Sequence, residues 1–216
     1  MEEPVVMRRR AAPAMILRYP ARTRINHWLV AFLFFCAGLT GLAIFHPFFF
    51  PLSGLFGGGV WTRILHPFFG VLMALAFFGL YLVMHRENRL DATDRDWLSA
   101  TPDLLRGHEE RMPPVGKNNA GQKLVFWVAA WMLVVLLVTG VVFWSPYFAP
   151  AFPVLARRIA VLVHAVAATI LILTIIVHIY AGIWIKGSIQ AMTRGTVSDG
   201  WARFHHPLWW RQIRGK

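Results

Sequence analysis

RRIAVLVHAVAATILILTIIVHIYAGIWIK, residues 157–186, is the stretch on which the reading of the whole chain turns. Its 27 residues from Ile159 to Ile185 carry no formal charge, more than the roughly 20 that take a helix across a bilayer core. The spacing predicts a membrane helix. Inside it His164 and His178 stand 14 residues apart, which at about 100° and 1.5 Å per residue puts them within about 40° of one face and about 21 Å apart in height. One helix therefore offers two imidazoles in a column along the membrane normal. Ionisable side chains at that depth are costly and mark a functional site whose partners have to be found elsewhere in the chain.

Three further apolar blocks supply the context. The 216 residues are 57% hydrophobic with a mean hydropathy of +0.52, too apolar for a soluble domain. The predicted spans are 25–45, 64–84, 124–144 and 159–185. They form one membrane domain, residues 25–187, between a basic arm at 1–24 and an interfacial tail at 188–216. The net charge of +12 first suggests nucleic acid, but its distribution argues otherwise. Nineteen of the 22 Lys and Arg residues lie before the first block, between the second and third, or after the fourth; only Arg63, Arg157 and Arg158 lie in the other two connections. That is the positive-inside pattern, which predicts both termini in the cytoplasm and explains the charge by topology and lipid attraction, with no nucleic-acid partner. The lone Cys36 excludes disulfides, thiolate-held clusters and covalent C-x-x-C-H haem within the chain.

Topology then pairs the histidines by depth. His27 enters from the cytoplasm and His178 returns towards it, whereas His66 and His164 lie just below the outer face. Two bis-histidine pairs result, with the fourth span contributing to both. This suits two b haems stacked in a four-helix bundle, since haem iron takes one axial imidazole from each side. Three other readings compete: single histidines bonded to neighbouring carbonyls, a zinc or copper transport site, and a haem-free transporter or anchor. The metal-transport reading wants acids, thiolates or a tight cluster, and no span holds an acid. His205 and His206 read as interfacial and His85 as a cap. Before the third span, GKNNAGQK (116–123) gathers amides and lysines that suit either a quinone's carbonyl oxygens or a helix N-cap.

At these residues the chain resembles the gamma subunit, a cytochrome b556, of respiratory membrane-bound formate dehydrogenases. The stretches that carry the likeness include NHW (26–28), RILHPFFG (63–70), NAGQK (119–123), LLVTGVVFWSPYFA (136–149), VHIYAGIWIKGSI (177–189) and HHPLWWR (205–211). The resemblance implies an all-α, polytopic four-helix bundle with two haems b, His66 and His164 holding the outer one and His27 and His178 the inner. It also implies that Asn119, Gly121 and Gln122 line a quinone pocket; an aromatic commonly precedes that Asn in the family, where this chain has Asn118. The partners implied are an iron-sulfur beta subunit and a molybdenum or tungsten alpha subunit that oxidises formate, as one heterotrimer or a higher oligomer of it in the bacterial inner membrane. Electrons would cross to reduce quinone with cytoplasmic protons. A hydrogenase or another molybdoenzyme is the alternative donor.

Overall fold

A computed structural model describes residues 14–145 and 147–215. The arginines at 8–10 and the prolines at 4 and 13, on which the basic arm was predicted, lie outside them. Four helices are long and apolar enough to cross a membrane: α1 (Ala21–Phe45), α2 (Gly59–Met84), α5 (Ala120–Phe143) and α6 (Val154–Trp184). Between α2 and α5 run the short helices α3 (Ala92–Ser99) and α4 (Thr101–Leu105), and after α6 come α7 (Ser188–Thr193), α8 (Asp199–His205) and α9 (Pro207–Arg214). The long helices run up and down. One end of the bundle gathers the N-terminal segment, residues 85–119 and the tail, and is called here the cap end; the loops 46–58 and 144–153 form the loop end.

Each long helix starts earlier than charge and hydropathy predict. The difference is five residues in both α6, which begins at Val154, and α2, which begins at Gly59 after a 3-10 helix, Pro47–Phe56. Pro67 was expected in the first turn, where its missing N–H costs nothing. It lies instead inside the helix, where it deprives the carbonyl four residues back of a donor.

The bundle is built from two helix hairpins, α1 with α2 and α5 with α6, which meet mainly through α2 and α5; α6 touches α1 only sparsely. At mid-height Leu33, Ala37, Met73, Ala129, Leu133 and Leu171 form a buried apolar layer. Elsewhere the helices turn large apolar side chains outward, among them Phe32, Leu75, Leu162 and Ile183, as a lipid-facing surface does.

The segments flanking the bundle fold together at the cap end. Strand β1 (Met15–Leu17) pairs antiparallel with β2 (Thr196–Ser198), Ile16 opposite Val197. Tyr19, Ala191, Val197, Ala202 and Trp209 make a second buried cluster there. From Ala14 on, therefore, the expected arm is a strand followed by α1, and the expected interfacial tail is half of a small core. The strands are three residues each and joined across the whole sequence, so no local period announces them. His206, expected at an interface, is 3% exposed. Its Nδ1–H donates to the Gly116 carbonyl at 2.8 Å.

Candidate functional site

The helix period sets the site. On α6, Arg157, His164, Leu171 and His178 follow one another at intervals of seven, a step that returns to the same face with a drift of about 20°. Leu171 is 4% exposed in the mid-height layer, so this column faces the inside of the bundle. Along α2, His66, Met73 and Leu80 repeat the spacing, and Met73 and Leu80 are buried.

The four predicted histidines come together in the two predicted pairs. His27 and His178 face each other near the cap end with ring centres 6.2 Å apart. Towards the loop end His66 and His164 are also 6.2 Å apart. Both pairs bridge the space between α6 and the α1–α2 hairpin, which the sparse packing of α6 on α1 leaves open. Leu171 stands two turns from each α6 histidine and separates the levels. Among the described residues no three His, Cys, Asp or Glu side chains gather in one place.

The loop-end pair shows a feature that the sequence reading missed. Thr40 Oγ1 bonds the Cys36 carbonyl at 2.7 Å and His66 Nδ1 at 3.0 Å. On the other hairpin Thr139 Oγ1 bonds the Val135 carbonyl at 2.6 Å and His164 Nδ1 at 3.0 Å. Each hydroxyl has one proton, which goes to its helix carbonyl, so the hydroxyl oxygen accepts from Nδ1–H. That fixes the tautomer of both rings and leaves each Nε2 with its lone pair free. The glycine after each threonine makes room for the ring: a Cβ on Gly41 would lie 3.1 Å from His66, and one on Gly140 3.5 Å from His164. The signal was the Thr-Gly dipeptide repeated near the loop end of two spans, at 40–41 and 139–140. Among the described residues the cap-end pair has no such hydroxyl bonds, and His27 Nδ1 is buried without a partner, as are Thr23 Oγ1 and Arg24 Nε in the turn before it.

The predicted quinone residues take a different arrangement. Asn119 Oδ1 accepts from the Gln122 amide at 2.9 Å and Gln122 Oε1 from the Asn119 amide at 3.0 Å, a capping box that starts α5. A Cβ on Gly121 would meet the Trp97 ring at 3.1 Å. Asn118 is buried, accepting from the Tyr19 hydroxyl at 3.2 Å and donating to Asn88 Oδ1 at 3.1 Å. Asn118 thus belongs to a polar bridge within the cap.

Comparison with known proteins now bears on the pairs. Residues 18–195 match the family model for prokaryotic cytochrome b561. The nitrate-inducible formate dehydrogenase cytochrome b556(Fdn) subunit of Escherichia coli (strain K12) is 43% identical over 199 residues, 92% of each chain. The formate dehydrogenase cytochrome b556(fdo) subunit of the same organism is 43% identical over 92% of this chain and 93% of its own. That of Haemophilus influenzae is 39% identical over 91% and 83%. The chain belongs to the cytochrome b556 subunits of formate dehydrogenase, within the prokaryotic cytochrome b561 family. As a cytochrome b it carries haem b, and the histidine pairs fit that group. A metal-bound imidazole nitrogen lies about 2 Å from its metal, so two rings sharing one iron have centres roughly 6 Å apart. Both pairs stand at that separation, and the free Nε2 lone pairs of His66 and His164 are the donors that axial ligation requires.

Proposed function

We propose that this chain is the dihaem membrane subunit of a formate dehydrogenase complex. His66 and His164 hold one haem b and His27 and His178 the other. The single observation that carries this is the pair of imidazole pairs, each spaced for one iron, joined by one helix. Bound haem b supplies reversible one-electron chemistry at iron. The residues of the chain fix ring orientation, keep a dry apolar layer at Leu171 between the two levels, and set them about 21 Å apart in height along α6. In this reading the cap end is cytoplasmic, as the distribution of Lys and Arg indicates. Electrons from an iron-sulfur beta subunit enter at the loop end, and quinone is reduced at the cap end. Formate is oxidised in a molybdenum or tungsten alpha subunit. Asn119, Gly121 and Gln122 border the quinone: the capping box uses both amide oxygens, and the amide NH2 groups are the donors left for a quinone carbonyl.

The test is pyridine haemochrome quantitation and a reduced-minus-oxidised spectrum on the purified complex, wild type and with His164→Ala or His178→Ala. Two haems b per chain are expected, each variant losing a different one, and formate should reduce both in the wild type. One haem or none in folded wild-type protein would sink the dihaem reading. Reduction by hydrogen and not by formate would reassign the donor to a hydrogenase.

A further inference from the structure

Five buried polar side-chain atoms lack a hydrogen-bond partner among the described residues, and four of them lie at the histidine pairs. Arg157 Nε is one. It belongs to the inward column of α6, two turns or about 10 Å above His164, and it is half-buried. With Phe143, Ser145, Val154 and Arg158 it lines an open cleft of about 440 Å³ at the loop end. Phe143 leads inward from this cleft, its ring meeting that of His164 edge-on with centres 5.1 Å apart. The other three atoms are Thr23 Oγ1, Arg24 Nε and His27 Nδ1, in the first turns of α1 at the cap-end pair; Arg24 is tied to the Thr193 carbonyl through Nη1 and leaves its Nε edge without a partner among the described residues. Thr23 is 3% exposed. Buried donors and a buried guanidinium edge left unpaired are expensive and call for an anionic acceptor. A haem b has an apolar rim interrupted on one edge by two propionate carboxylates, and burying those near lipid requires the same kind of donors.

We propose that Arg157 anchors a propionate of the haem held by His66 and His164, and that Thr23 and Arg24 anchor the propionates of the haem held by His27 and His178. This rests on the dihaem reading above. The two propionate edges then face opposite ends of the bundle, and the apolar edges converge on the layer at Leu171. Arg157 and Arg24 are positioning residues: their cations neutralise the carboxylates and hold each haem upright without touching iron. Along α6 the guanidinium stem of Arg157 starts about 10 Å above His164, on the same face, so it would reach the edge of a group held at that histidine.

The experiment compares the intact complex carrying Arg157→Gln, Arg157→Lys, the double change Thr23→Val with Arg24→Gln, or, as an exposed arginine outside the cleft, Arg106→Gln. Haem content comes from pyridine haemochrome, the midpoint potential of each haem from a redox titration, and the propionate bending bands from resonance Raman spectra. Arg157→Gln should lower one potential only, that of the haem lost in His164→Ala, and shift its propionate band. The double change should do the same to the other haem. Arg157→Lys should keep both haems with most of the potential restored, and Arg106→Gln should leave both unchanged. Unaltered potentials and propionate bands in haem-replete Arg157→Gln overturn the assignment, as does equal displacement of both haems. Should Arg157→Gln lose its haem, loss in Arg157→Lys as well overturns it. Fewer than two haems in the wild type would instead refute the underlying dihaem reading.

Discussion

Thr40 and Thr139 show how little side chain is needed to define a ligand. A histidine inside a membrane can adopt either neutral tautomer, and only the one with a free Nε2 lone pair binds iron by that atom. The hydroxyl on the neighbouring helix makes the choice, because its own proton is already committed to the carbonyl four residues back. Removing such an orienting partner typically costs about 10–100-fold in affinity for the bound metal. Thr40→Val and Thr139→Val, which keep shape and remove the hydroxyl, should each weaken haem retention at the loop-end pair in that range and leave the cap-end haem in place. Serine in either position should restore it. Titrating haem out of detergent-solubilised variants into an apo-protein acceptor gives the comparison; equal retention in valine and serine variants would mean that the hydroxyls only pack. Depth and charge made the four histidines legible in the sequence. The threonines were not, because a hydroxyl bonded to its own helix is also the ordinary state of a threonine in a membrane helix, and only the other helix of the same hairpin shows that it has a second bond to make.

At the scale of the element, the start of α5 carries two loads. Its first turn is fixed by the capping box of Asn119 and Gln122, and it is tied down by Lys123, which reaches Asp91 and Asp94 at 2.9 Å each. The Thr93 hydroxyl and then Lys123 hold the Asp91 carboxyl below its usual range. Lys123 and Asp94 are both buried, and breaking a buried pair from one side costs about 3–5 kcal/mol, so α3 is pinned across the entrance to α5. The same turn is the proposed quinone border, and the two roles separate chemically. Asn119→Asp keeps the capping oxygen, and Asp is as good an N-cap as Asn; it removes the NH2. Asn119→Ala removes both. Stability should be unchanged in the first and fall by about 1 kcal/mol in the second, whereas quinone reduction should fall roughly tenfold in both, the worth of one hydrogen bond. Thermal unfolding and formate-driven reduction of a quinone analogue provide the two readings, and full turnover in Asn119→Asp would confine this residue to capping. Both functions could be seen in GKNNAGQK, since amides, a glycine and lysines at a helix entrance serve either; the sequence had no means of weighting them, because a capping box is a matter of which atoms face inward.

Taken whole, the molecule closes its bundle with segments about ninety or more residues apart. Strand β1 and α9 meet residues 115–118 through bonds from Leu208 to the Val115 carbonyl, from His206 to Gly116, and from Arg18 Nη2 to the Lys117 carbonyl at 2.5 Å. The Arg18 guanidinium, 4% exposed, lies over the rings of Tyr19, Trp201 and Trp209. Gly195 permits the crossover: its φ is +84°, and a Cβ there would come within 2.6 Å of the Tyr19 carbonyl. This cap lies at the end of the bundle nearer His27 and His178. His206 makes it sensitive to acid. Burial first, then the Arg18 guanidinium and His205, hold its pKa at about 3, against 6.5 for an unperturbed imidazole. Below pH 6.5 an opened cap binds a proton that the closed cap refuses, so the closed form is fully favoured above that pH and loses stability progressively as pH falls towards 3. Amide exchange across residues 196–209, corrected for the intrinsic pH dependence of exchange, should show opening that grows as pH drops from 7 to 5. In His206→Gln, which presents an amide donor to the Gly116 carbonyl and does not titrate, the opening should be flat over the same range. An identical slope in the variant would place the acid response elsewhere in the cap, since only a group that changes protonation in this window can supply it.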